Sequence, residues 1–140
     1  MTPFTICTGS WDELQNDAKL IREQVFIQEQ NIPVAEEWDA QDAVALHFVV
    51  YDQVQPIATA RLLQNHSIGR VAVLKAYRGQ GIGKLLMLEM IQQAKHEQRK
   101  FLKLSSQVHA IQFYAGLGFQ VQGDEYLDCG IAHIDMYLKL

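Results

Sequence analysis

Apolar residues recur along the chain in two rhythms, and each predicts a kind of element. Leu14, Ala18, Ile21 and Val25 fall at helical spacing, which puts one face of a helix on a core. Ser10 and Glu13 of SWDE have capping-box spacing at its start, and Pro33 bounds it from beyond. Gly83, Leu86, Met87, Met90, Ile91 and Ala94 keep the same period and predict a long amphipathic helix over about 80–97. Ala110, Phe113, Tyr114 and Leu117 form a shorter stripe that Gly118 ends. The second rhythm belongs to strands. Val44 to Asp52 is a nearly continuous apolar run rich in β-branched residues, as expected of a strand covered on both faces. IATARLL pairs with it as a hairpin, and further strands are expected at 4–7, 68–73, 101–105, near 119–122, and at 133–139. Residues 31–43 are polar and aperiodic and read as a loop or a broken short helix. Strands followed by strand, helix, strand, helix, strand predict an α/β or α+β sheet with at least one parallel crossover.

Composition places this pattern in one globular domain over residues 1–140, with 49% hydrophobic and 20% charged residues and no internal repeat or linker. No apolar stretch is long enough to span a bilayer, and the N-terminus lacks a basic segment followed by an apolar one. A cytoplasmic protein that touches no membrane is therefore expected. Cys7 and Cys129 are too few and too far apart for a disulfide scaffold, and free thiols are the default. Five histidines without HExxH or Cys/His spacing argue against a metal site, and the basic residues do not interleave with aromatics as on a nucleic-acid surface.

The net charge of −4 separates into three blocks. Lys19 and Arg22 face ten acids in residues 1–60; nine basic residues face Glu89 and Glu97 in 61–103; and Lys139 faces four acids in the remainder. A basic middle between acidic flanks suits a central anionic ligand beside a cationic one. Lys95, Arg99 and Lys100 lie at the far end of the long helix, where they suit its dipole, so Arg78 and Lys84 are the charges left for an anion.

Both flank the strongest local signal, VAVLKAYRGQGIGKLL, Val71 to Leu86. A strand ends, Gly79, Gly81 and Gly83 follow, and the long helix begins with no Ser, Thr, Asp or Asn at 76–80 to cap it. Glycines admit close backbone approach, and the first N–H groups of the helix converge with its positive dipole end, which is an anion site. A P-loop fails because position 78 is Arg and Leu85 replaces the hydroxyl, and GxGxxG fails in both registers.

RGQGIG after a strand resembles the acyl-CoA motif Q/R-x-x-G-x-G/A of the Gcn5-related N-acetyltransferase (GNAT) superfamily, with Arg78, Gly81 and Gly83 at the signature positions. SSQVHAIQFYAGLGF is similar to a later block of that family, NxxAxxxYxxxGF, through Ala110, Tyr114, Gly118 and Phe119, with Gln107 where Asn is frequent. IREQVFIQEQ and GDEYLDCGIAHIDM resemble the ElaA-like or YjcF-like branch. RxxVFxxEQ, from Arg22 to Gln30, also resembles acyl-homoserine lactone synthases, which are typically longer and lack the RGQGIG segment.

The resemblance implies a single-domain GNAT-like fold: a central mixed, mostly antiparallel sheet of six to seven strands flanked by about four helices. It implies direct acetyl transfer from acetyl-CoA to a primary amine of a small molecule or peptide. Val71 and Val73 would offer backbone groups to the pantetheine arm, Arg78, Gly79, Gln80, Gly81, Gly83 and Lys84 would hold the pyrophosphate, and Tyr114 would lie at the sulfur as general acid. Dimers being common in such families, a homodimer is compatible with this reading.

The attacking amine must lose a proton first, to a carboxylate or an ordered water. Glu29, Glu36, Glu37, Asp39 and Asp42 form an acidic segment that would attract a cationic acceptor. Glu29, beside the strand region, is the candidate base, and Glu37, Asp39 and His133 are candidate acceptor contacts. His47, on an apolar strand, is a candidate proton carrier or a core histidine. The rival reading is a CoA-binding regulatory module without catalysis, which Gln107 and the unidentified base permit.

Overall fold

The computed structural model describes residues 4–140, the side chains of Ala35 and Glu36 excepted; Glu36 of the acidic segment thus lies outside the described side chains. Strand β1 (Phe4–Gly9) leads into helix α1 (Trp11–Arg22), whose Ser10 and Glu13 form the capping box reciprocally. The helical path continues past Arg22 as a π-helical segment, Glu23–Glu29, closed by Gln30 N–H donating to the Val25 carbonyl at 3.0 Å. Such widened turns shift the side chains that follow them and are frequent at functional sites.

The polar stretch is a broken helix, α2 (Val34–Glu37) and a 3₁₀ segment (Ala40–Val44). Strands β2 (Leu46–Asp52), β3 (Gln55–Leu62) and β4 (Ser67–Val73) then form a meander, and α3 (Ile82–His96) crosses to β5 (Phe101–Gln107). A short helix α4 (Ile111–Ala115) precedes the hairpin of β6 (Gln120–Asp128) and β7 (Ile131–Lys139). The seven strands are ordered β1-β2-β3-β4-β5-β7-β6; β4 and β5 run parallel and the other neighbours antiparallel.

The core has two layers, one on each face of the central strands. Phe48, Val50, Ile57, Leu62, Leu86, Met87, Met90 and Leu102 lie on the α3 side, and Leu14, Ala18, Ile21, Val25, Phe26, Val49 and Ala72 on the α1 side. β2 is buried on both faces, which is why its sequence is almost continuously apolar. β5 alternates instead, with Leu102, Leu104 and Ser106 buried and Lys103 and Ser105 exposed.

β6 is longer than its pattern predicts. All nine of its residues are exposed, so no burial signal marks it, and its ladder with β7 holds it. Asp128 pairs with Ile131 across a two-residue turn, Cys129–Gly130, in which both residues have positive φ as a tight hairpin turn requires. No helix among the described residues is long and apolar enough to cross a membrane.

Candidate active site

The parallel pair β4–β5 is short. Ser67 pairs with Lys103 and Ile68 with Leu104, and beyond them the strands part. Arg70 sits at φ 51, in the left-handed region, where the register of β4 against β3 also shifts; such a bulge bends its strand. The gap opens into a cavity of about 1070 Å³, at the upper end of small-molecule and cofactor sites. Gln107 donates from Nε2 to Gln30 Oε1 at 2.9 Å, tying β5 to the end of the π-helical segment, and Gln107 Oε1 meets His109 Nε2 at 2.7 Å.

One wall is the turn between β4 and α3. The N-cap of α3 is Gly81, at φ 80 and ψ 11, and no side chain caps the helix. A Cβ at Gly79 or Gly81 would meet nothing within 4 Å, but both lie at φ +80, which L side chains rarely adopt. Gly83 packs closely, since a Cβ there would lie 3.3 Å from the Phe113 ring, which would have to shift by a few tenths of an ångström. An uncapped helix start with open space before it fits a phosphate group.

Arg78 is exposed but engaged. Its Nη1 and Nη2 donate to Glu29 at 2.6 and 2.8 Å, and its Nε donates to the Val73 carbonyl at 3.0 Å. Hydrogen bonding from Arg78 holds the Glu29 carboxyl below the usual carboxylate range, and Glu29 raises Arg78 in turn. A ligand phosphate at the turn must compete with Glu29 for this guanidinium. Glu29→Gln is therefore expected to tighten acetyl-CoA binding by about threefold at neutral pH, a modest effect for a pair this exposed. The gain should disappear at a pH low enough to protonate Glu29 in the parent, because the pair exists only above that pKa. Calorimetric titration checks both, and unchanged affinity at neutral pH would show no competition.

Tyr114 stands on the same cavity, edge-on to Phe113 and Phe119. Burial pushes its hydroxyl up to about 12, so it is a proton donor at neutral pH. His133 also lines the cavity; its Nδ1 must carry a proton, since it meets the carbonyl of Ile131 at 2.8 Å, and its ring stacks on Tyr126.

The structure thus brings Glu29, Glu37, Val71, Val73, Arg78, Gly79, Gly81, Gly83, Lys84, Tyr114 and His133 to one cavity, whereas Gln80 and Asp39 lie off its wall. The acidic segment differs from the open acidic patch its sequence predicts. Glu37 accepts from Arg22 Nε at 2.9 Å and pairs with Arg70 at 3.2 Å. Asp42 accepts from Arg22 and Arg61, both at 2.8 Å, and Asp39 holds Arg61 at 2.8 and 3.0 Å. Arginines brought in from α1, β3 and β4 neutralise acids that look unpaired in the sequence. Burial outweighs the arginines at Glu37 and leaves it above the usual range; at Asp42 burial pushes upward too, but Arg22 and Arg61 prevail and hold it low. His47 is a core residue: its Nε2 meets the Asp42 carbonyl at 2.9 Å, and burial lowers its basicity.

Sequence reading missed Gln30, Ser105 and Phe113 on the wall. The alternation of β5 carried a signal for Ser105, placing it with Lys103 and Gln107 on the face away from α3. Among the described residues no group of His, Cys, Asp and Glu is arranged to hold a metal.

Residues 14–140 match the model of the acetyltransferase (GNAT) domain. The Bacillus subtilis N-acetyltransferase YjcF, itself uncharacterized, is 35% identical over 129 residues, covering 89% of this chain and 92% of its own. Escherichia coli ElaA is 32% identical over 125 residues, covering 83% and 81%, and its crystal structure superposes with a TM-score of 0.87 over 96% and 99% of the two chains. An acyl-CoA N-acyltransferase from Pseudomonas aeruginosa, 30% identical, gives a TM-score of 0.87 over 96% and 99%.

Proposed function

The chain belongs to the GNAT acetyltransferase family, in its ElaA/YjcF-like branch, and is an acyltransferase; from that premise we propose that it moves an acetyl group from acetyl-CoA directly to a primary amine of a small molecule or peptide. The observation that carries this reading is the pairing, on one cavity, of an uncapped helix start behind Gly79 and Gly81 with the protonated hydroxyl of Tyr114. The N–H groups at the start of α3, with Gly79, Gln80, Gly81, Gly83, Arg78 and Lys84 around them, receive the pyrophosphate. Val71 and Val73 lie where β4 has parted from β5 and offer main-chain groups to the pantetheine arm. Tyr114 donates its proton to the departing thiolate. The base is a carboxylate or an ordered water, and Glu29 serves only when phosphate draws Arg78 from it. His133 and Glu37 stand on the wall toward the acceptor, and Asp39 shares Arg70 with Glu37.

Gly81→Val is the direct test. Valine at φ 80 costs about 1–2 kcal/mol of backbone strain, and its side chain occupies the space left for phosphate. Acetyl-CoA affinity should fall by about tenfold or more in calorimetry, with the melting temperature followed in parallel. Undiminished affinity would remove the pyrophosphate assignment. Amine-dependent thiol release, across an amino sugar, a polyamine, an amino acid and a peptide N-terminus, separates an enzyme from a binding module.

A further inference from the structure

The acids of residues 29–42 whose side chains are described are each engaged by arginine, and the acceptor's ammonium has a better address on the other side of the cavity. α1 packs against β2, β3 and β4, and beyond the Gln30–Gln107 contact Ser105, Asp135 and Tyr126 of β5, β7 and β6 are exposed. There Ser105, on the cavity wall, is hydrogen-bonded to the Tyr126 hydroxyl, and Tyr126 donates to Asp135 Oδ1 at 2.7 Å. The order of donors follows from chemistry. A carboxylate accepts only, so the single proton of Tyr126 goes to Asp135 and its oxygen receives the proton of Ser105.

Three strands build this chain. Ser105 and Asp135 are directly opposed in the β5–β7 ladder, and Tyr126 opposes His133 in the β6–β7 ladder just beyond a register shift that starts at Gln122. The Tyr126 ring stacks on His133 at 6.1 Å and 22°. Among the described residues Asp135 has no arginine or lysine ion pair, in contrast to Glu29, Glu37, Asp39 and Asp42. All three are exposed, but only Ser105 lines the cavity, so the chain leads outward from the cavity wall.

We infer that the Ser105–Tyr126–Asp135 chain binds the ammonium of the amine acceptor and takes its proton. This rests on the acetyltransferase reading. The ammonium gives one proton to Ser105 Oγ, as the proton of Ser105 passes to Tyr126 and that of Tyr126 to Asp135, which releases it to water. The freed lone pair forms the bond to the thioester carbonyl carbon, the carbon–sulfur bond breaks, and the sulfur leaves with its electron pair and takes the proton of Tyr114. The second amine proton, lost as the amide forms, restores Tyr114, so one proton is released per turnover. Ser105 touches the amine; Tyr126 and Asp135 act through it. The other titratable groups facing the chain are His133 against the Tyr126 ring, Asp128 at the hairpin, and Lys103 and Tyr137, next along β5 and β7 on the same face.

Tyr126→Phe keeps the ring on His133 and removes the hydroxyl, and Asp135→Asn keeps the shape and removes the charge; Ser105→Ala, at an exposed position, is the third variant should either fail to fold. The probe is whichever of glucosamine, spermidine, lysine or a glycyl peptide the parent enzyme turns over fastest, followed by thiol release from pH 6 to 10. At pH 7 the variants should lose about tenfold or more in kcat/KM for the amine, with the acetyl-CoA dissociation constant changed by less than about twofold. The deficit should shrink toward pH 10, where an amine with a pKa of about 8–10 is already neutral in solution. A deficit equal at pH 7 and pH 10 would mark a merely structural role and overturn the inference, as would parent-like variants. A parent protein that binds acetyl-CoA but releases no thiol with any of the four amines overturns the acetyltransferase reading and this site together; amine-dependent release that is indifferent to all three substitutions overturns this site alone.

Discussion

Arg22→Ala is expected to remove about 3–5 kcal/mol of folding stability, the cost of stripping the partner from buried charges. Arg22 is 1% exposed, donates to Glu37 and Asp42, and has its guanidinium 5.5 Å from the Trp11 ring and 4.9 Å from the Trp38 ring. Alanine leaves two carboxylates facing a cavity where a cation stood. Urea denaturation followed by tryptophan fluorescence measures the loss, and a change below about 1 kcal/mol would show that Arg61 and Arg70 suffice. The pH dependence has a definite sign. In the parent, Asp39 and Asp42 have depressed pKa values, so their contribution is present above the unfolded value of about 3.9 and is lost as pH falls through the folded value. In the variant, Glu37 and Asp42 lose a cation and their pKa values rise; a raised carboxyl favours the folded state in its protonated form. The deficit should be smaller at pH 5 than at pH 8.

Tyr114→Phe has the largest expected effect on turnover. Loss of a general acid costs about 10²–10⁴-fold, and phenylalanine preserves the edge-on contacts with Phe113 and Phe119, so kcat should fall while the acetyl-CoA dissociation constant moves little. Because burial holds the hydroxyl at about 12, the parent should show no fall in rate from Tyr114 ionisation between pH 6 and 10, and the ratio of parent to variant should stay constant over that window. Equal turnover would remove the acid role. A matched loss in cofactor affinity would instead assign Tyr114 to binding.

The two features behind these predictions were unequally visible in the chain. Tyr114 could be found in advance because its spacing from Ala110, Gly118 and Phe119 is local, and one short helix with its cap keeps that spacing in space. The turn before α3 was legible for the same reason: strand, glycines and amphipathic helix are contiguous, and the anion site arises from the first turn of one helix. Both layers of the core follow from the pattern of apolar positions, since α1 and α3 each bury a face whose period the backbone sets and β2, buried on both faces, is almost continuously apolar.

The part of β6 beyond residue 122 escapes because an exposed strand held by its ladder carries no apolar alternation, and with it goes Tyr126, whose partners Ser105 and Asp135 lie on two other strands. The acidic segment was misread for a related reason. Its charge could be counted in sequence, but whether that charge faces water or arginine depends on Arg22, Arg61 and Arg70 arriving from three elements. What the amino-acid sequence determined by itself was the set of elements and the chemistry held within one turn or one helix, because those interactions span only a few residues. Which acids are spent, which carboxylate a phosphate must displace from Arg78 and where a proton can leave were decided by the tertiary structure, because charge pairing and hydrogen-bonded chains depend on distances that only packing sets.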